Sequence, residues 1–551
     1  MYSALHWLIH RLTRWAKPLV TPEEWRQSWS LVAVLVIAAA LRFYQLGEEG
    51  LWVDEMMSLL DADHFWEQPR AHRPLYFILL NLWLRLGSSD VWLRSLAVVF
   101  GIGSVWLIYR LGHQLLNRQT GLIAALLMAL SPLFINHSQE IRMYSLSSFL
   151  SLAGTLALSQ GLSHTQRSHP QLGPISQWVI SRWLAILTTP LNLLLLLPDA
   201  ILVSYRWWRR PRTWRRFFAG GIVILIGSLP TLLTQITGGA TERFLESQVA
   251  DYSRPGLLQI FGMVTQFSLY WPLRYLLEGQ SSTELANDQL DDTQLLGHFF
   301  SYLNGYLLFY AALTLILLGL LGFSLMRMRR RRSFGEAALV AWALVPSVAM
   351  LAVSYRANSV WFPRYLLGFA PYYLLLIATG FVQLSRWPKL KTAIAALYII
   401  GVGGSLKDYY GPFHYRNHWQ RAAEIVERSA QSGDVVVYYS LPLYYEYSFP
   451  RYYRGEASLV TIDRPPTVQH LEPDYIRQQL SREIASRVWV VCWWYCEDLP
   501  GINSVAETLL GEPVSLAQQV SLESLENEPI GISLFTQADA HSLEKVDGRR
   551  K

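Results

Sequence analysis

Apolar stretches recur along this chain at 31–41, 122–133, 222–233, 302–326, 337–353 and 365–381. Each approaches or reaches the ~20 residues that carry a helix across hydrocarbon. With 52% hydrophobic, 13% aromatic and only 16% charged residues over 551 positions, the chain holds more apolar side chain than soluble domains need for their cores. The expected fold class is mainly α, a polytopic transmembrane helical bundle. Gly, Pro and Ser interrupt several of the stretches, as bundled membrane helices allow.

Basic residues orient the bundle, because Lys and Arg accumulate in short cytoplasmic loops near helix ends. Four clusters carry the signal: Arg11, Arg14, Lys17 and Arg26; residues 206–216; residues 327–332; and Arg386, Lys389 and Lys391. About eleven spans, near 29–47, 92–116, 119–136, 143–162, 178–190, 192–207, 217–236, 299–326, 336–354, 365–384 and 391–407, put all four on one side. The expectation is an integral protein of the plasma (inner) membrane with a cytoplasmic amino terminus. Residues 1–28 read as an uncleaved amphipathic segment along the inner surface, since no small-residue cleavage site follows them. Exposed outside are 48–91, 137–142, 188–192, 237–298 and 355–364; the aromatics of 267–275, Trp271 among them, read as an interfacial segment.

Composition changes after the transmembrane domain of 29–408. Residues 418–430 read as an amphipathic helix, and 434–440 and 487–494 as strands, so 409–551 is expected to form a small extracytoplasmic α/β domain with a polar, frayed end from about Asn527. The two cysteines, Cys492 and Cys496, fall in this domain, where a disulfide is chemically permitted if a turn separates them. The net charge of +6 follows from the topology arginines, and no nucleic-acid motif or internal repeat is present.

Chemistry is to be sought on the outer face. Asp54-Glu55 follows the first span, and the stretch from Met56 to Trp66 is suited to the interface. His72-Arg73-Pro74-Leu75-Tyr76-Phe77 opens another apolar helix, His137-Ser138-Gln139-Glu140-Ile141-Arg142-Met143-Tyr144 forms a hairpin between spans, and Phe362-Pro363-Arg364-Tyr365 stands at the mouth of a late span. Bland readings stand beside these: a solvated loop pair at Asp54-Glu55, a structural bridge between Glu140 and Arg142, snorkelling at Arg364, packing at His72 and His137, and an aromatic belt for Tyr76 and Tyr144.

The ordered set of Asp-Glu, Pro-Leu-Tyr-Phe, Ser-Gln-Glu-x-Arg-Met-Tyr and Arg-Tyr resembles the polyprenyl-phosphate-sugar-dependent membrane glycosyltransferases of the GT-C fold, glycosyltransferase family 39 type. These include the protein O-mannosyltransferases and the aminoarabinose transferase that modifies lipid A. The resemblance spans roughly residues 29–385 and does not reach the tail. It implies transfer of a hexosyl or pentosyl group from a polyprenyl-phosphate donor to an acceptor hydroxyl on a lipid, glycan or protein, with inversion. It also implies Asp54 as base, with Glu55 orienting it, binding acceptor or structural, and Glu140 beside them as a third candidate catalytic carboxylate. An arginine at the departing phosphate neutralises charge through paired donors, which makes Arg142 and Arg364, then Arg73, the candidates for the phosphate. His72, His137, Tyr76 and Tyr365 are candidate substrate or metal contacts.

Asp54, Glu140, His72 and His137 offer mixed O/N donors for a divalent cation, but without metal-ligand spacing, and the resemblance implies no obligatory metal. The chain departs from the family at Thr188-Thr189-Pro190-Leu191-Asn192, where many relatives carry His-Tyr, and at His72-Arg73-Pro74, where His-Pro-Pro is commoner. A transporter or flippase would instead predict midplane charges and two related halves. A non-catalytic envelope-assembly protein would keep the motif as a remnant.

Overall fold

The computed structural model describes residues 29–67, 73–163, 172–207, 211–237, 254–277, 305–331, 333–356, 360–411, 418–440, 446–463, 476, 480, 485–493, 499–511, 514–522 and 530–537. The amino-terminal segment 1–28, His72 and Cys496 lie outside them.

The first helix is α1 (Trp29–Phe43), followed by the short helices α2 (Val53–Asp63) and α3 (Pro74–Leu84). The bundle continues through α4 (Asp90–Leu115), α5 (Arg118–Leu130), α6 (Pro132–Asn136), α7 (Tyr144–Ser163), α8 (Leu172–Thr188), a 3-10 turn at Pro190–Leu195, and α9 (Leu196–Trp207). It is completed by α10 (Pro211–Thr237), α11 (Leu257–Leu277), α12 (Gly305–Arg331), α13 (Phe334–Arg356), α14 (Pro363–Leu366), α15 (Ala370–Gln383) and α16 (Pro388–Tyr409). Among the described residues five helices are long and apolar enough to cross a membrane by themselves, within α4, α10, α12, α13 and α16.

Two of the expected spans are broken. Pro132 lacks an N–H and ends α5, and Ser131 Oγ caps α6 by accepting from Phe134 N at 3.5 Å. The run expected at 365–384 likewise divides into α14 and α15. Irregular backbone at this depth is tolerated only where protein surrounds it, and both breaks lie next to candidate site residues. In α7 the buried Ser and Thr side chains make interhelical bonds, such as Thr155 Oγ1 to Tyr372 OH at 2.6 Å and Ser151 Oγ to Asn192 Oδ1 at 3.2 Å. Of the segment read as interfacial, 267–275, Phe267, Ser268 and Leu269 are buried in α11, which packs against α6, α12 and α16.

A buried ion pair joins α8 to α9. Arg182 donates to Asp199 at 2.7 and 3.1 Å, and Trp178 and Trp342 each donate to the same carboxylate at 2.8 Å. Every oxygen is used, so this carboxylate has no chemistry to offer.

The tail comprises α17 (Trp419–Ser429), β1 (Val435–Ser440), α18 (Phe449–Tyr452), β2 (Ser458–Asp463), β3 (Arg487–Trp493), α19 (Leu499–Leu510), β4 (Val514–Leu522) and β5 (Ile530–Gln537). The sheet order is β2-β1-β3-β5-β4, with β1 parallel to β2 and β3, and β5 antiparallel to β3 and β4. The end expected to fray therefore contains β5, an inner strand whose Ile530 and Ile532 are buried. Strand alternation gives the sheet two faces. Val436, Tyr438, Trp489 and Val491 join one apolar cluster with the membrane helices, and Val435, Val437, Val488 and Val490 pack with α19 in a second. Cys492 in β3 is disulfide-bonded.

Asp434, just before β1, accepts from Arg487 at 2.6 and 3.0 Å and from Trp489 Nε1 at 3.1 Å. Burial pushes its carboxyl up, but these donors outweigh it and hold it below the ordinary aspartate value. A depressed folded pKa stabilises above the unfolded value of about 3.9 and is lost as pH falls through the folded one. Hydrogen exchange in β1 and β3 should accordingly be faster in Asp434→Asn than in wild type at pH 7, and the gap should close below about pH 3. A gap that persists in acid would contradict this.

Candidate active site

The segment entering α2 is held from behind by one arginine. Arg94, near the start of α4, donates to the carbonyls of Leu46 (3.0 Å), Glu49 (2.8 Å) and Gly50 (3.2 Å) and grips Glu55 through Nε–Oε1 at 3.0 Å and Nη2–Oε2 at 2.7 Å. Glu55 Oε1 also accepts from Ile141 N at 2.8 Å, and the residue is fully buried. Glu55, one of the carboxylates expected to be catalytic, is thus consumed in building the site. It fixes the start of α2 against the hairpin tip.

One residue earlier, Asp54 points the other way. Its side chain is 27% exposed, and its Oδ2 lies 3.1 Å from Arg142 Nη2. Arg142 Nη1 donates to Asp54 O at 2.9 Å and to Ser58 Oγ at 3.0 Å, so the guanidinium is locked along the first turn of α2. Its Nε is buried with no hydrogen-bond partner. Burial lowers the pKa of Arg142, but the Asp54 carboxylate, then Tyr144, outweighs it and holds the group above the ordinary arginine range.

The hairpin tip is built from its own polar groups. Glu140 accepts from Asn136 Nδ2 at 2.8 Å and meets His137 Nδ1 at 2.9 Å, and both Glu140 and His137 are buried. Gln139 Nε2 donates to the carbonyls of Arg42 (3.0 Å) and Tyr44 (2.8 Å), which ties the tip to the end of α1. Of the three candidate carboxylates only Asp54 reaches solvent, since Glu55 and Glu140 are 0% and 2% exposed.

The other candidates converge on this point. Arg73 caps the amino end of α3, which is locked to α4 by the stacked Trp83 and Trp92, each donating its indole N–H to the other's carbonyl at 2.8 and 3.1 Å. Arg73 lies within Coulomb range of Arg142, Tyr144, Tyr365 and Asp54. Burial, then the Arg142 charge, pulls its pKa below the ordinary arginine range. Arg364 sits over the rings of Phe362 and Tyr365 at 5.8 and 5.3 Å and within Coulomb range of Tyr144. Tyr76 is buried within range of Arg142, Glu55 and Glu140. Guanidinium groups crowded beside a half-open carboxylate form a place where an anion relieves repulsion.

Asn192, in the turn that departs from the family pattern, is buried and spent on Ser147 Oγ (2.8 Å), the Ala185 carbonyl (2.9 Å) and Ser151. It binds helices together. Among the described residues no three His, Cys, Asp or Glu side chains gather as a metal-ligand group, and His72 lies outside those residues. Arg94 is the site residue that motif reading missed; its only sequence signal is a cation at the head of an apolar helix, which needs a partner.

The tail also reaches this segment. Trp419 Nε1 donates to the Leu51 carbonyl at 3.0 Å, Leu51 N donates to Tyr452 OH at 3.0 Å, and that hydroxyl donates to Asp90 at 2.6 Å. A Cβ on Gly50 would stand 2.7 Å from Trp419 Cδ1, so only glycine permits this approach.

Residues 69–233 match the family described as dolichyl-phosphate-mannose-protein mannosyltransferase. The whole architecture is similar to crystal structures of ArnT from Cupriavidus metallidurans. The form bound to undecaprenyl phosphate gives a TM-score of 0.54 at 13% identity over 91% of this chain and 97% of that one. The apo form gives 0.51 at 12% identity over the same shares, 91% and 97%. No curated protein matches the sequence. The matched segment covers under a third of the chain, and the likeness over its whole length defines the fold: membrane-embedded helices of the GT-C type. Within that class the particular likeness of fold is to ArnT.

Proposed function

We propose that this protein moves a hexosyl or pentosyl group from a polyprenyl-phosphate carrier to a hydroxyl of a lipid, glycan or protein acceptor on the extracytoplasmic face, with inversion. The carrying observation is the partly exposed Asp54 held at 3.1 Å from Arg142 beside Arg73 and Arg364. The carriers of the similar proteins, undecaprenyl phosphate bound to ArnT and dolichyl phosphate in the matched family's description, favour a polyprenyl phosphate here.

In this reading Asp54 takes the acceptor's proton as the acceptor oxygen bonds to the anomeric carbon. The carbon–oxygen bond to phosphate breaks on the opposite side, and its electron pair leaves on the phosphate. Arg142 has both Nη groups committed to Asp54, Ser58 and the α2 backbone, so it serves chiefly to orient the base. Arg73 and Arg364 are then the groups that meet the phosphate. Glu55 positions α2, and Glu140 with His137 holds the tip.

Arg364→Lys keeps the charge but loses the paired donors. Hydrogen bonds to charged groups contribute about 1.5–3 kcal/mol, so kcat/KM for the donor should fall roughly 10–10²-fold. A change below threefold in steady-state transfer assays would remove Arg364 from the phosphate site.

The reading as a whole is tested by mass spectrometry of envelope glycans, lipids and proteins from a deletion strain carrying wild type or Asp54→Asn. A sugar restored by wild type alone supports transfer and names donor and acceptor. Equal restoration by both would make the motif a remnant.

A further inference from the structure

A cavity opens at the other end of the bundle. α4 runs from Arg94, beside the Asp54 site, to Leu115, ~30 Å away at 1.5 Å per residue. Around Leu115 the end of α4, the start of α5, the end of α12, the start of α13 and the end of α15 enclose about 430 Å³, on the face that carries the basic runs. That volume falls within the ~300–1,000 Å³ of sites that hold small molecules.

The lining is polar in a particular way. Arg327 and Arg386 supply two guanidinium groups, and neither forms an ion pair among the described residues. Between them stand acceptors with nothing to accept: Glu336 Oε2 and Gln383 Oε1 are buried without a hydrogen-bond partner, as is Thr120 Oγ1. Thr120 and Glu336 are 0% and 7% exposed, so water does not freely satisfy them. Unpaired buried polar atoms cost about 1–3 kcal/mol each, so three lining one cavity favour an occupant that brings hydrogen-bond donors. Cations together with bare acceptors select a phosphate that carries hydroxyl or ammonium donors. Exposed Met326, Trp387 and Leu390, next to the cavity in sequence, offer apolar surface for a chain attached to that phosphate.

We propose that this cavity binds the headgroup of a membrane phospholipid from the basic-loop leaflet. Arg327 and Arg386 hold its phosphate, and Glu336, Gln383 and Thr120 hold the glycerol or ethanolammonium end. The site is separate from the transfer site and does not depend on the reading of Asp54.

Native mass spectrometry of the full-length, delipidated protein tests this. Probes are phosphatidylglycerol, phosphatidylethanolamine, diacylglycerol of the same chains, and soluble glycerol 3-phosphate. Retention of either phospholipid, but not of diacylglycerol, is expected in wild type, with at least tenfold weaker retention in R327Q/R386Q. Arginine loss on this face risks misinsertion, so Thr120→Val, which keeps shape and charge, is the second variant and should weaken retention about threefold or more. Equal retention by wild type and both variants would overturn the proposal. So would displacement of the phospholipid by glycerol 3-phosphate at equal concentration, which would mark a site for a soluble anion.

Discussion

Asp54→Asn should slow sugar transfer by roughly 10²–10⁴-fold, the usual cost of losing a general base, with little change in KM for the donor. The amide oxygen can still accept from Arg142, so the first turn of α2 stays in place and the loss reports proton transfer. Single-turnover assays with purified protein and a polyprenyl-phosphate sugar would measure it. Activity within tenfold of wild type would remove Asp54 from the chemistry. The same substitution at its neighbour discriminates roles: Glu55 accepts from Arg94, Trp52 N and Ile141 N, so Glu55→Gln should act on stability first.

The largest stability effect is expected at Arg94→Leu. Removing one partner of a buried ion pair costs about 3–5 kcal/mol, because the other charge is left uncompensated. Here Glu55 and the carbonyls of Leu46, Glu49 and Gly50 lose their donor together. Chemical unfolding in detergent should show that loss, together with a lower yield of folded protein. A change under 1 kcal/mol would mean that water or a neighbour replaces Arg94 and that the segment entering α2 is held by other contacts.

The membrane domain was readable because hydrocarbon imposes a crude rule on sequence: apolar length, with arginines at the ends. Expected and observed helices agree where that rule acts alone, as in α4, α12 and α13. They part where protein replaces lipid as the surroundings, at the Ser131-Pro132 break and in α11, since a buried helix has no need of the lipid pattern. In the tail β1, β3 and α17 were visible as a short apolar run or an amphipathic repeat. β5 was not, because its few residues follow a polar stretch and gain their meaning only from pairing with β3 and β4.

The site divides in the same way. Its residues were legible as an ordered set of short motifs, but their division of labour was not. Asp54 and Glu55 are adjacent in sequence and opposite in fate, and what separates them is Arg94, 39 residues from Glu55. Arg142 was expected at the phosphate, and its contacts with Asp54 and Ser58 are what turn the proposal toward an orienting role for it.

The bond between Trp419 and Leu51 has a consequence for how this protein can be dismantled. A residue of the tail touches the chain three positions before Asp54, and Tyr452 and Arg451 fasten the same corner to Asp90 at the head of α4. Cutting the chain after the last membrane helix would therefore loosen the segment that carries Asp54 as well as shed a domain. The tail is the outer half of a clamp whose inner half is Arg94, and neither jaw can be exchanged without refitting the other.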